Sequence, residues 1–509
     1  MLWVSADPGS GKSVLAKYLV DLFPTTEART TCYFFFKDDF EGQGSAITAL
    51  CCILFQLFDA KPALLSKYIV DRFEIADDGF TGSFEELWNA FKMVVKNDTG
   101  EIVCIIDALD ECKHGERFQL IEKLRQLYNN KGASKFNLKL LITSRPIREI
   151  RLGFHHTEIS AASLIHLNGE SEAEIKKISK EIGIFIETKV QNIGEKFGLT
   201  TKERDLLLKK LTSVPNRTYL WVYLTLNLIE NDASTHITID TRENRMLEIA
   251  SRLPKTVDEA YERILSQSYD QVQAKLILQI LVAAARPLRL REMWLAMQLA
   301  VDSTCTSYRD LKMQDRELMA DPKDLKELED RIQNDIRDLC GLFVVVIESA
   351  VYLIHQTAKE FLVTQKMRRS RSSTNNLQWK GSLLLWESHR ILFSICMQHL
   401  FFEELQNEAC VPENSGNVVE KKNKLASEYV QKYNFLSYSA NNWVSHLKDA
   451  QMNLDKATVD RIIPPVAFDK LMLASYFGIR EVVKTLLKEW AYDYEINKRD
   501  LTNGRSALS

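Results

Sequence analysis

The chain has 509 residues and a formal net charge of −3, so it is long enough for several domains and lacks a basic excess that would point to a nucleic-acid partner. Its 19 glycines and 11 prolines are about half the usual share, which favours helices. Nine cysteines without paired spacing indicate reduced thiols and a cytoplasmic location, and no apolar run reaches the roughly 20 residues of a membrane span.

The first motif, Ala-Asp-Pro-Gly-Ser-Gly-Lys-Ser at residues 6–13, lies between an apolar strand pattern and a helical pattern. This is the P-loop pattern with Ala6 in place of the first glycine. Gly9 and Gly11 allow the backbone to turn so that its N–H groups converge on phosphate oxygens. The alternative is a glycine-rich turn between a strand and a helix that binds nothing, but strand, loop and helix follow one another in the order that a P-loop requires.

Two side chains of this motif carry the expected chemistry. Lys12 would reach the β- and γ-phosphates of a nucleotide, and the hydroxyl of Ser13 would ligate Mg²⁺. We therefore predict an ATP/ADP and Mg²⁺ site, and the residues expected to hold the nucleotide here are Gly9, Ser10, Gly11, Lys12, Ser13 and Val14.

The sequence EIVCIIDALDEC is expected to supply the carboxylate that a P-loop needs. Its continuous apolar run predicts a buried parallel strand, with Asp107 as a metal ligand at the carboxyl end. Asp110 and Glu111 follow, and either can orient or deprotonate the attacking water. Alternatively, this pair is the solvated start of a helix.

A further strand pattern, LKLLITSRP, ends in Arg145, which at a strand tip would sense the γ-phosphate and would otherwise be an ordinary surface arginine. The run TCYFFFKDD predicts another buried strand between the P-loop strand and the Asp107 strand. That extra strand separates the fold from the simplest P-loop arrangement.

DALDE, with ADPGSGKS before it and TSRP after it, resembles the NACHT class of signalling P-loop ATPases. The blocks CYFFFKDD, NRTYLWVYL, LPKTVDEAYERIL and IHQTAKEFL are similar to the nephrocystin-like NACHT proteins of filamentous fungi, over roughly residues 1–365. The resemblance implies a nucleotide-operated switch of the NOD-like receptor type, which acts in self/non-self recognition and cell-death signalling. Such a switch is at most a weak NTPase, because each state must persist.

Residues 169–253 show helical periodicity, and the resemblance implies a helical domain that closes over the adenine. The stripe at 219–222 either contacts the base or lies in the helix core, which is the commoner case. Pro215 is the nearest candidate for the adenine-contacting proline of the family.

Residues 254–365 resemble a winged helix, whose helix 288–300 carries only Arg289 and Arg291 and so lacks a basic stripe for DNA. The resemblance implies that this domain covers the nucleotide. It aligns His355 with the family histidine that contacts the β-phosphate of ADP, although a lone histidine after a strand is usually structural.

A basic, polar break precedes a helical linker domain at 377–460, and residues 466–509 resemble an ankyrin repeat with a second one beginning. Fewer than about three repeats rarely stand alone, so we expect an incomplete array that is cut at its C-terminal end. The chain begins within the P-loop strand, and the resemblance implies an effector domain before it, so we expect a cut at the N-terminal end as well. The resemblance implies a protein ligand for the ankyrin region and a homo-oligomer in the ATP-bound form.

The predicted fold is thus an α/β P-loop NTPase domain at 1–168, with a parallel five-stranded sheet of the additional-strand class. All-α and winged-helix domains follow, and then the start of an ankyrin solenoid. The predicted function is an ATP/ADP switch with slow hydrolysis. Three alternatives remain open: a scaffold with a vestigial site, a truncated gene product, and a steady-turnover remodelling ATPase, for which no arginine finger or substrate channel is visible.

Overall fold

The computed structural model describes residues 1–38, 42–76, 81–129, 137–155, 165–169, 171–215, 217–234, 251–311, 322–363, 377–407 and 432–451. These residues belong to two compact units, Met1–Ala260 and Tyr261–Ser509. The predicted ankyrin repeat at 466–509 lies outside the described residues and stays a prediction.

The first unit contains an α/β part and a helical part. Its strands are β1 (Leu2–Ser5), β2 (Arg29–Phe35), β3 (Glu101–Asp107), β4 (Leu138–Ser144) and β5 (Ile165–Asn168). Its helices are α1 (Lys12–Leu22), α2 (Ala46–Ala60), α3 (Lys67–Ala76), α4 (Phe84–Asn97), α5 (His114–Asn129), α6 (Arg148–His155), α7 (Glu172–Phe197), α8 (Thr201–Ser213) and α9 (Tyr219–Ser234). A 3-10 turn, Leu109–Glu111, follows β3.

The five strands form one parallel sheet in the order β2-β3-β4-β1-β5, which confirms the predicted parallel five-stranded sheet. In β3, every residue from Cys104 to Asp107 is buried, as expected for a strand with neighbours on both sides and helices on both faces. The carboxyl ends of β1, β3 and β4 meet at one edge of the sheet, because parallel strands all end there.

The prediction for the TCYFFFKDD strand was wrong in one respect. Among the strands that the structure describes, this strand, β2, pairs only with β3 and lies at the edge of the sheet, where Tyr33 is 42% exposed. The strand that separates the P-loop strand from the Asp107 strand in space is β4. Along β2, buried residues such as Cys32 and Phe34 alternate with more exposed ones, because one face of the strand packs in the large apolar core and the other is less covered.

Packing of α1 against the sheet positions the P-loop helix relative to the strands. One face of the sheet shares a large apolar core with α2, α4, α5 and α6. On the other face, the fully buried Ala16 of α1 packs against Ile105 and Leu141. The first turn of α1 therefore lies beside the carboxyl ends of β3 and β4.

The helical part of the first unit has its own core, formed by α7, α8 and α9. Trp221 is 2% exposed and donates its indole N–H to the carbonyl of Pro254 at 3.0 Å. Val222 is fully buried. These two members of the 219–222 stripe therefore lie in the helix core.

The second unit begins within α10 (Val257–Ser266), and its described residues form helices and one hairpin. Its helices are α11 (Gln271–Ala283), α12 (Leu290–Val301), α13 (Pro322–Cys340), α14 (Gln356–Leu362), α15 (Leu385–Leu400), α16 (Glu403–Asn407) and α17 (Leu436–Asp449). The antiparallel strands are β6 (Val344–Ile347) and β7 (Ala350–Leu353). Three helices followed by a hairpin, α11 to β7, form the predicted winged-helix pattern.

Within the winged helix, Arg286 makes two hydrogen bonds to the buried carboxylate of Glu292, at 2.7 and 2.8 Å. Arg291 of α12 pairs with Glu329 at 2.8 Å, and Arg289 is the residue that precedes the helix. One of the two arginines predicted for this helix is therefore engaged within the unit. Among the described residues, no helix combines the length and the apolar character needed to cross a membrane.

Candidate nucleotide-binding site

The loop after β1 adopts the backbone conformation that its glycines permit. Gly9 has φ 75° and Gly11 has φ 91°, both in the left-handed region that other residues rarely adopt. Gly11 is also the residue from which α1 starts. The loop therefore opens directly onto the positive end of an 11-residue helix.

The ammonium group of Lys12 lies against the inside of this loop. Its Nζ donates to the carbonyl of Ala6 at 2.7 Å and to that of Asp7 at 3.0 Å. Burial lowers the pKa of Lys12, while the nearby carboxylate of Asp110 opposes that shift. A partly desolvated cation at the mouth of a phosphate-binding loop favours an anionic ligand.

The loop also holds a buried hydroxyl that suits a bound anion. Among the residues that the structure describes, the Oγ atom of Ser10 is buried and has no hydrogen-bond partner. A buried polar group without a partner costs free energy, which an added ligand recovers. The loop conformation, the Lys12 ammonium group and this hydroxyl together suit the binding of a nucleotide phosphate.

Asp107 lies at the end of β3 and is only 2% exposed. Its carboxylate accepts a hydrogen bond from the hydroxyl of Thr143 on β4. Burial raises the pKa of Asp107, whereas the hydroxyls of Ser13 and Thr143 and the charge of Lys12 lower it. Ser13 and Asp107, the two predicted metal ligands, are therefore neighbours, and their oxygens are of the type that Mg²⁺ prefers.

The carboxylate of Asp110 is bound to Arg145. It accepts the backbone N–H of Arg145 at 2.9 Å, and its other oxygen lies 3.1 Å from the guanidinium Nε. Glu111 follows in the same 3-10 turn and is partly exposed. The structure thus brings Asp110 and Arg145 together at the edge where Lys12 and Asp107 lie, as the charges that act on Lys12 also indicate.

Sequence reasoning missed a contact between the P-loop and the start of α9. The backbone N–H of Leu220 faces the carbonyl of Gly9 at 3.4 Å, and a Cβ atom at position 9 would lie 2.8 Å from the Cβ of Leu220. The Thr218 hydroxyl and the Tyr219 ring border the same loop, at 3.4 Å and 3.7 Å from Cβ positions built on Gly9 and Gly11. Position 9 therefore requires a glycine for two reasons, the left-handed backbone conformation and the close approach of Leu220.

Three predicted residues have different surroundings. Val14 lies in the first turn of α1 and is 74% exposed. Pro215 is exposed on the segment between α8 and α9. His355 lies in the second unit, where its Nδ1 accepts the backbone N–H of Thr357 at 3.1 Å and caps α14. That bond leaves the ring hydrogen of a neutral His355 on Nε2.

A glycine turn, its lysine and serine, and an aspartate at the end of a buried parallel strand are the features that define the α/β P-loop NTPase class. Comparisons with known proteins refine that class. The family model of nephrocystin 3, N-terminal, matches residues 1–145, and the model of the GPI inositol-deacylase winged helix domain matches residues 261–374.

The chain is also similar to the vegetative incompatibility protein HET-E-1 of Podospora anserina, with 25% identity over 370 residues. The match covers 71% of this chain and 24% of the relative, so the chain spans about a quarter of that protein's length. These matches confirm the resemblance to the fungal nephrocystin-like NACHT proteins.

A solved structure of the Aeropyrum pernix ORC1 protein in complex with DNA matches 70% of this chain and 85% of its own chain. The identity is 9% and the TM-score is 0.25, a likeness too weak to indicate a shared fold or function.

Proposed function

We propose that this chain is an ATP/ADP-operated switch of a NOD-like signalling protein, with slow hydrolysis. The observation that carries the proposal is the convergence of Lys12, Ser13 and Asp107 at the edge of the sheet where the glycine turn opens. Slow hydrolysis follows from the role, because a switch must stay in each state long enough to be read.

Nucleotide binding would rest on the loop and on Lys12. The N–H groups of the loop and of the first turn of α1 would surround the phosphates. Lys12 would exchange its bonds with the carbonyls of Ala6 and Asp7 for phosphate oxygens. Ser13 and Asp107 would hold Mg²⁺, which neutralises phosphate charge when bound.

Sensing of the third phosphate would rest on the pair of Asp110 and Arg145. The carboxylate of Asp110 already holds the backbone and the side chain of Arg145 at the strand tip. A γ-phosphate nearby would compete with that carboxylate for the guanidinium group. Glu111, the other carboxylate of the turn, would then be the one that orients or deprotonates water.

The contact between Gly9 and Leu220 offers a route from the nucleotide to the helical part of the unit. The start of α9 lies against the turn that would surround the phosphates. A movement of this turn on nucleotide binding would therefore either displace α9 or be opposed by it. The winged helix would close over bound ADP, with Nε2 of His355 as the donor to the β-phosphate. Release of ADP would then accompany opening.

The signalling role is proposed from the similarity to a vegetative incompatibility protein. Self/non-self recognition or cell-death signalling in the cytoplasm fits that name. A protein ligand bound by the C-terminal region would favour opening, and the ATP-bound form would assemble into homo-oligomers.

Turnover measured with excess ATP, together with the nucleotide that remains bound, tests the proposal. Slow turnover with trapped ADP supports the switch. Fast steady turnover would instead indicate a remodelling ATPase, and an absence of nucleotide binding would indicate a vestigial site.

A further inference from the structure

Arg117 on α5 is a buried arginine outside the groups that are proposed to contact the nucleotide. It is 9% exposed, and its Nη1 donates to the carbonyl of Asp110 at 2.8 Å and to that of Cys112 at 3.3 Å. These two carbonyls belong to the residues on either side of Glu111. One guanidinium nitrogen therefore holds the backbone that carries Glu111 from both sides.

The other end of the same guanidinium group is anchored to a different element. Its Nη2 donates to the carboxylate of Glu149 at 2.6 Å. Glu149 lies in the first turn of α6, four residues after Arg145. The second oxygen of Glu149 lies 3.1 Å from the Nε2 of His114, and the Arg117 bond is the main cause of a lowered pKa of Glu149.

The turn that Arg117 holds is one that needs outside support. Ala108, at its start, has φ 54° and ψ 48°, in the left-handed region that alanine rarely adopts. Such a conformation persists only where the surrounding structure imposes it. The backbone N–H of Ala108 donates to the Thr143 hydroxyl at 3.0 Å, and Arg117 holds the other end of the turn.

We infer that Arg117 is a positioning residue for hydrolysis. It fixes Glu111 relative to the strand tip that carries Arg145, through the carbonyls of residues 110 and 112 and its ion pair with Glu149. This inference rests on the proposed function, because it assigns Arg117 a role in the ATP hydrolysis that is proposed there. Lysine cannot replace Arg117, since it lacks the planar fork that reaches acceptors on two elements at once.

The test compares Arg117→Lys with Arg125→Lys. Arg125 is a matched control because it lies on the same helix and pairs with Glu122, and its side chain is 20% exposed. ADP affinity, single-turnover ATP hydrolysis and the melting temperature without nucleotide are measured for both variants and the wild type. We expect Arg117→Lys to bind ADP within twofold of the wild type and to hydrolyse ATP about tenfold to a hundredfold more slowly.

Two further variants separate positioning from a general loss of structure. Glu149→Gln removes the charge of a half-exposed anchor and leaves the carbonyl contacts in place, so we expect a smaller decrease in hydrolysis, without loss of ADP affinity. In a Glu111→Gln background, Arg117→Lys should cause little further loss, because both changes act through the same side chain.

Hydrolysis by Arg117→Lys at the rate of Arg125→Lys would overturn the inference, and so would additive losses in the double variant. A wild type that binds ADP and hydrolyses no ATP would also overturn it. A wild type that binds no ADP would contradict the proposed function itself, and the inference would fall with it.

Discussion

The carboxylate of Asp110 accepts the backbone N–H of Arg145 at 2.9 Å, and its second oxygen lies 3.1 Å from the Nε of the same residue. Both oxygens of Asp110 are thereby directed at Arg145, and its side chain is only 7% exposed. A carboxylate held in this way is poorly placed to accept a proton from water. The neighbouring Glu111 is therefore the better candidate for that task.

Glu111→Gln should leave nucleotide binding intact and slow hydrolysis by about a hundredfold or more, because an amide cannot act as a general base. Asp110→Asn should instead change the preference for ATP over ADP, since it weakens the hold on Arg145. Single-turnover rates and the affinities for both nucleotides distinguish the two effects. Slow hydrolysis with unchanged affinities in Asp110→Asn, and normal hydrolysis in Glu111→Gln, would reverse the assignment.

Asp107→Asn should weaken nucleotide binding more in the presence of Mg²⁺ than in its absence. The amide keeps the shape of the side chain and loses the charge that would hold the ion. Titrations of ADP with Mg²⁺ and with EDTA measure the two losses separately. Losses of equal size under both conditions would contradict the metal role of Asp107.

The strands were predictable because their signals are local. Each of β3 and β4 is a short apolar run that ends in a polar residue, and such runs predict buried parallel strands whatever their neighbours. Asp107 and Arg145 could be named for the same reason, since Asp107 is the last residue of β3 and Arg145 comes directly after β4. The position of β2 at the sheet edge was missed, because an apolar run does not reveal how many neighbours a strand has.

The contacts that organise the site depend on which elements are adjacent in space. Arg117 and Glu149 are 32 residues apart, and Leu220 is far along the chain from Gly9. No local pattern indicates that α5 faces the start of α6, or that α9 begins on the P-loop. Thr143 was visible in the sequence as a polar residue within an apolar strand. Its hydrogen bond to Asp107 explains why a polar side chain is buried there.

Two buried histidines, His399 and His446, should make the second unit less stable in acid. Burial lowers the pKa of His399 and of His446 to about 3, whereas an unfolded histidine has a pKa of about 6.5. Between those values the unfolded chain binds more protons, so this contribution is intact at pH 7 and is lost as the pH falls below 6.5. For each histidine, the free energy of unfolding should be about 2 kcal/mol lower at pH 5 than at pH 7.

Hydrogen exchange at pH 7 and pH 5, corrected for intrinsic rates, measures this effect in α15 and α17. Protection should fall in these helices, with β4 of the first unit as the internal reference. His446→Gln should show a smaller loss of protection between the two pH values than the wild type. Equal protection in α15 and α17 at both pH values would mean that these histidines are not buried as neutral side chains.

His355→Ala should release ADP faster without abolishing ATP binding. A hydrogen bond to a charged group contributes roughly 1.5–3 kcal/mol, so its loss should raise the ADP dissociation rate by about tenfold to a hundredfold. Stopped-flow dissociation of a fluorescent ADP analogue measures that rate, and the melting temperature without nucleotide monitors the fold. An unchanged rate with a lowered melting temperature would leave His355 as the cap of α14 alone.

The most direct test of nucleotide binding by the P-loop is the affinity of Lys12→Ala for a fluorescent ADP analogue, compared with that of Lys17→Ala. Both lysines lie on α1, but Lys17 is exposed and pairs with Asp21, whereas Lys12 lies inside the loop. Removing a charged contact to phosphate costs about 1.5–3 kcal/mol, so Lys12→Ala should weaken binding by at least about tenfold and Lys17→Ala by less than twofold. Binding by Lys12→Ala within twofold of the wild type would contradict the nucleotide site and the switch built on it.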